Sequence, residues 1–255
     1  MEKLVKPGRI IFALGIIALA ILSFISKDFI IGRPPSWPAG FTANPSLAYI
    51  SAVVLIISAI AVIFEIKPII ASIVIAALIF LLSVLRHLPQ FMNDWLNGYK
   101  AMALFGGALI VAASFLNVND ISRALGANKR WKNIFVITGS ILLAAFLMAA
   151  GYAHFKFAAF VKDFIPAYIP FREFWTYFTG VCLCAGGVGL LLPPTKKWAA
   201  LLSGIMIGGW FLLLHIPRVI ANTKDVGDRM GLFESFAFAG IFFVLASIFS
   251  RKKSF

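Results

Sequence analysis

Eight apolar runs, each close to the roughly 20 residues a helix needs to cross the hydrocarbon of a bilayer, take up most of this 255-residue chain. They fall at about 8–27, 47–66, 68–88, 100–117, 133–153, 173–193, 197–216 and 231–250. Few folds are open to such a pattern, because a backbone inside lipid must satisfy its own N–H and C=O groups. The expectation is all-α: a polytopic membrane helical bundle of eight transmembrane helices. Composition agrees, with 61% apolar and only 13% charged residues, where soluble domains carry about a quarter charged. The net charge of +13 would suggest nucleic acid in a soluble chain; here it reads as basic loops orienting membrane helices.

The turns are legible as well. Glu65-Ile66-Lys67-Pro68 and Pro193-Pro194-Thr195-Lys196-Lys197 separate neighbouring runs so briefly that each marks a tight helical hairpin. The basic opening from Met1 to Lys6 resembles a signal peptide, but no Ala-x-Ala-type site follows, so the first run reads as a retained helix. Eight spans put both termini on one side, here side A. Thirteen of the 23 Lys and Arg fall there in short clusters, which reads as the cytoplasmic side.

An internal repeat organises the chain. Leu85-Arg86-His87-Leu88-Pro89 matches Leu213-Leu214-His215-Ile216-Pro217, 128 residues on, and the same offset aligns Ser51 with Thr179. Pro34 to Pro38 and Pro166 to Pro170 are each a Pro-x-x-x-Pro between the first two spans of a half. The chain thus reads as two four-helix halves, 1–120 and 121–255, joined by the basic segment Asn119 to Lys132. An even number of spans per half makes the repeats parallel, related by an axis along the membrane normal.

A four-span unit with a Pro-rich loop after its first span, a short apolar hairpin and a third span ending His215-Ile216-Pro217 resembles the DoxX-like integral membrane proteins. The resemblance is fullest over 151–245, from Gly151-Tyr152-Ala153-His154-Phe155 onward, and looser in the first half. It implies an accessory or redox-linked subunit that binds a quinone-like or lipid-like molecule in a cavity open to the non-cytoplasmic side. More distant relatives imply an alternative, a non-catalytic membrane chaperone or cargo-binding protein. A small-solute transporter ranks third, because the middles of the spans offer only Ser, Thr, Gly and Cys. The partners expected are the lipid bilayer, a quinone or lipid ligand, a membrane or redox protein and a second copy of the chain; nucleic acid is not among them.

Polar groups gather on side B, which holds seven of the ten acids and all three histidines. Gly204, Gly208, Phe211 and His215 share one helical face, and Gly204-x-x-x-Gly208 lets a neighbouring backbone come close. Glu173, Tyr177, Gly180, Cys184 and Gly187 follow the same rhythm one span earlier. The expected site brings together His215, Glu234 and Glu173 as the proton-handling groups, with His154, Arg218, Tyr177 and His87 as ligand contacts. Each also has a plainer reading. His215 and His87 each precede a helix-ending Pro; Glu173 and Glu234 suit the first turn of a helix. Because Pro217 cannot donate to Leu213, the freed carbonyl needs another partner. Cys182 and Cys184 lie about 200° apart on a helix, which argues against a dithiol, and no metal-ligand spacing or phosphate loop is present.

Overall fold

The structure, a computed structural model, describes residues 1–38, 40, 41, 44–116 and 125–250, the side chains of 125–128 excepted. Of the basic clusters read in the sequence, residues 117–124 and 251–255 lie outside the described residues. The elements are α1 (Val5–Ser26), α2 (Pro45–Ile63), α3 (Pro68–His87), α4 (Trp95–Phe115), α5 (Leu125–Lys156), α6 (Ala158–Phe164), α7 (Arg172–Leu191), α8 (Lys196–Trp210), α9 (Ile216–Ala221) and α10 (Val226–Ser250). A π-helical turn, Phe211–His215, joins α8 to α9. Among the described residues there is no strand, and eight helices are long and apolar enough to cross a membrane, with α8, the π turn and α9 counting as one.

Short-range chemistry explains the boundaries. Asn44 caps α2, its side chain accepting from Ser46 N at 2.9 Å, with Pro45 preset in the first turn. The hairpin between α2 and α3 turns through left-handed Glu65 and Lys67, and Pro68 opens the next helix. Between α7 and α8, the Thr195 hydroxyl donates to the Gly189 carbonyl at 2.9 Å and closes the turn. The fourth and eighth spans start earlier than their apolar runs, at Trp95 and Val226.

Each spanning helix packs on the next in the chain, and α10 returns to α1, so the spans form a closed ring. Helices α4 and α10 also touch across the middle, and they are the most buried spans. Just as α10 packs on α1, α4 packs on α5, and each of these seams crosses where glycine meets glycine. A Cβ on Gly240 would stand 2.6 Å from the Gly8 carbonyl, and one on Gly139 would stand 2.5 Å from the Gly106 carbonyl. In lipid, where apolar burial supplies no force between helices, such close backbone approach supplies the packing.

The segment after α1 folds back into the bundle, burying Phe29 and Ile31. Irregular backbone at such a place needs partners, and Arg86 supplies most of them. Its guanidinium donates to the Pro35 carbonyl (2.9 and 2.6 Å), the Phe29 carbonyl (2.8 Å) and both oxygens of Asp28 (3.0 and 2.9 Å). It also lies over the Trp37 ring at 4.7 Å. Arg218 holds the segment after α6 in a similar way, donating to the Phe164 carbonyl at 3.2 Å, lying over the Phe164 ring at 3.8 Å and pairing with Asp228 at 2.9 Å. The Leu213 carbonyl that Pro217 leaves free accepts from the Tyr168 hydroxyl. Tyr168→Phe is therefore expected to cost about 1 kcal/mol, the scale of one lost hydrogen bond, read as a lower melting point in detergent.

Candidate functional site

The side-B ends of α4 and α10 carry a charged junction between the halves. Lys100, in the second turn of α4, sits 3.1 Å from Glu234 of α10, with side-chain exposures of 16% and 4%. The other Glu234 oxygen accepts from Gly32 N at 3.0 Å, in the folded-back segment after α1. Gly32 is required there: its φ is +82°, and a Cβ would stand 2.7 Å from that of Ala101. Lys100 also donates to Asn97 at 3.1 Å, and Asn97 to Asp94 at 2.7 Å, so three polar residues lie along one stretch of α4. His87 ends this row, its Nδ1 4.0 Å from Asp94.

His215 lies against α10 one turn before Glu234. A Cβ on Gly231 would stand 3.0 Å from its ring, and the Arg33 guanidinium lies 3.4 Å from the same point. Arg33 donates to the Gly227 carbonyl. The face forecast for the seventh span is the one that packs on α10: Gly204 on Phe243, Gly208 on Ala239, Phe211 stacked on Phe236 at 4.6 Å, and His215 on Gly231. The π turn ending at His215 is a distortion frequent at functional sites.

Of the seven sequence-derived candidates, His215, Glu234 and Arg218 come together on the α8–α10 seam, and His87 reaches Glu234 through Asp94, Asn97 and Lys100. His154, Glu173 and Tyr177 are elsewhere. His154 bonds the Ala150 carbonyl at 2.8 Å and stacks on Trp210 at 6.2 Å. Glu173 and Tyr177 are exposed on the outer face of α7, Tyr177 stacked on Phe155. The buried residues of α7 include Gly180 and Gly187 of the expected face, together with Thr176, Thr179, Leu183, Gly186 and Leu190. Arg33, Lys100, Asn97 and Asp94 were not expected in a site. Among the described residues no three His, Cys, Asp or Glu side chains are grouped to hold a metal.

A groove lies beside this junction on the outer face of the bundle. It encloses about 500 Å³ between α4 and α5, and Phe91, Trp95, Tyr99, Met148 and Tyr152 line it with Lys156 at one end. The Lys156 ammonium stands 6.0 Å from the Trp95 ring and 5.9 Å from that of Tyr152. A second groove, about 370 Å³, is fully apolar apart from Trp131 and lies among Ile69, Ile73, Leu116, Trp131 and Phe135. His215 lines neither.

A family model described as "Domain of unknown function (DUF8561)" matches residues 143–227. No curated protein and no solved structure matches the chain. The matched segment runs from the middle of α5 to the start of α10. It includes His154, Glu173, Tyr177, His215 and Arg218, and stops short of Glu234.

Proposed function

We propose that this chain is a DoxX-like integral membrane protein, an accessory or redox-linked subunit that binds a quinone-like or lipid-like amphiphile. The observation that carries the reading is the groove between α4 and α5: an aromatic and thioether wall with a single ammonium at its end. An apolar body fits along Trp95, Met148 and Tyr152, and an oxygen-bearing head meets Lys156, which donates hydrogen bonds and attracts negative charge. A head-group contact at His215 does not suit this groove, since that ring faces Gly231. His215 and Glu234 instead belong to the junction behind it.

The same reading takes the chain as two parallel four-helix repeats with both termini cytoplasmic and the groove's Lys156 end on the opposite side. The paired glycine crossings and the arginine of each half that holds its own loop support the repeat.

A benzoquinone with a decyl tail tests the groove directly. Protein in detergent is equilibrated with the quinone, passed through gel filtration, and the retained quinone measured by its ultraviolet absorbance. Saturable binding is expected, weakened tenfold or more by Ala149→Trp, which fills the groove from α5; tenfold corresponds to about 1.4 kcal/mol. A parallel titration with a phospholipid distinguishes the two head chemistries. Equal quinone binding by native protein and Ala149→Trp removes the groove from the account.

A further inference from the structure

His87 is 3% exposed, and both of its ring nitrogens are buried without a hydrogen-bond partner. A buried polar atom in that condition calls for an explanation. Its surroundings supply one. Asp94, with a side chain 27% exposed, is open to water on one side and faces the imidazole on the other, its Oδ2 4.0 Å from Nδ1. The other charged groups near His87 are Arg86 beside it in α3, Lys100 in α4 and Glu234 in α10. Arg86 is committed to Asp28 and two backbone carbonyls, and Lys100 and Glu234 to each other. Asp94 is thus the carboxylate left to answer a charge on His87.

We propose that His87 is a site of reversible proton uptake from the side-B water, and that its charge state sets the Lys100–Glu234 junction between the halves. A hydronium ion gives its proton to Asp94 Oδ2 and leaves as water. As the gap to the ring closes, the O–H bond breaks and an N–H bond forms at Nδ1, so Asp94 is again a carboxylate and His87 carries one positive charge. The imidazolium then holds Asp94 against itself. Asp94 is the acceptor for Asn97, and Asn97 is the acceptor for Lys100, so the pull passes along hydrogen bonds of 2.7 and 3.1 Å to the ammonium that pairs with Glu234. Glu234 in turn holds Gly32 of the folded-back segment. This device is independent of what the groove binds.

The test uses the full chain in lipid nanodiscs, labelled with ¹⁵N in histidine in one sample and in asparagine in another, and followed by NMR from pH 4 to 9. One imidazole signal, absent in His87→Gln, is expected to pass from the neutral to the charged form, and the Asn97 side-chain amide to shift with the same midpoint. Asp94→Asn, which keeps the shape and removes the charge, is expected to weaken proton binding at least tenfold. Asp94→Glu, which keeps the charge, is expected to stay within threefold of native. The proposal is overturned if His87 holds one protonation form throughout, if Asn97 does not respond, or if Asp94→Asn leaves the midpoint unchanged. None of these results depends on quinone or lipid binding, so they stand apart from the groove experiment.

Discussion

Lys100→Met is expected to destabilise the protein by about 3–5 kcal/mol, the range for removing one partner of a buried ion pair. The substitution leaves Glu234, 4% exposed, with the Gly32 N–H as its remaining hydrogen bond among the described residues. It strands Asn97 as well, whose side-chain oxygen accepts from Lys100. The double substitution Lys100→Met with Glu234→Leu is expected to recover most of that loss. Two apolar side chains of similar volume remove the desolvation cost along with the attraction, and such exchanges are often neutral or better. Denaturation in mixed micelles of native, single and double variants checks this. A single variant within 1 kcal/mol of native would mean that the junction is wet and contributes little.

Arg86→Lys is the second large effect, about 3 kcal/mol or more, although charge is conserved. One guanidinium reaches Asp28, the Phe29 carbonyl and the Pro35 carbonyl at once and lies over the Trp37 ring. An ammonium is a compact point charge that cannot span three separated acceptors or stack on an indole. The Phe29 carbonyl is buried and the Pro35 carbonyl half-buried, and a buried carbonyl left unpaired is costly. The folded-back segment loses its fastening, so proteolysis between α1 and α2 is expected to accelerate in step with the fall in melting point. Loss of stability without new cleavage there would place the effect in α3 rather than in the loop.

How much of this was written in the sequence differs by element. The eight spans were legible because hydrophobic length is a direct demand of the bilayer. The unpaired carbonyl at Leu213 was legible because Pro217 has no N–H to give, and Tyr168 fills that need. The face of α8 ending in His215 was legible from its glycines, since only one side of that helix can come close to a neighbour. On α7 the same reasoning held for the glycines and failed at the polar end: Gly180, Cys184 and Gly187 pack closely on α5. Carried on to the side-B end, the stripe leaves the seam: Thr176 and Thr179 are buried there, while Glu173 and Tyr177 are exposed.

The junction was the least legible part. Arg86 and Lys100 fall at the side-B ends of the third and fourth apolar runs, where a charge reads as facing the water. In the structure both lie inside helices, and each charge is answered by a carboxylate far away in the chain, Asp28 and Glu234. The Asp94, Asn97, Lys100 spacing of three residues was visible and is the signal that marks α4 as starting at Trp95. What no single segment contains is the pairing of Lys100 with Glu234, which only the contact between α4 and α10 creates.

The measurement that bears most directly on the groove is mass spectrometry of small molecules extracted from protein purified in mild detergent, native beside Ala149→Trp. The expected result is one amphiphile, quinone or lipid, in stoichiometric amount with the native protein and depleted from the filled-groove variant at unchanged melting point. The same bulk phospholipid in both preparations, with no stoichiometric species, would contradict the account and leave the aromatic wall between α4 and α5 as ordinary membrane-facing surface.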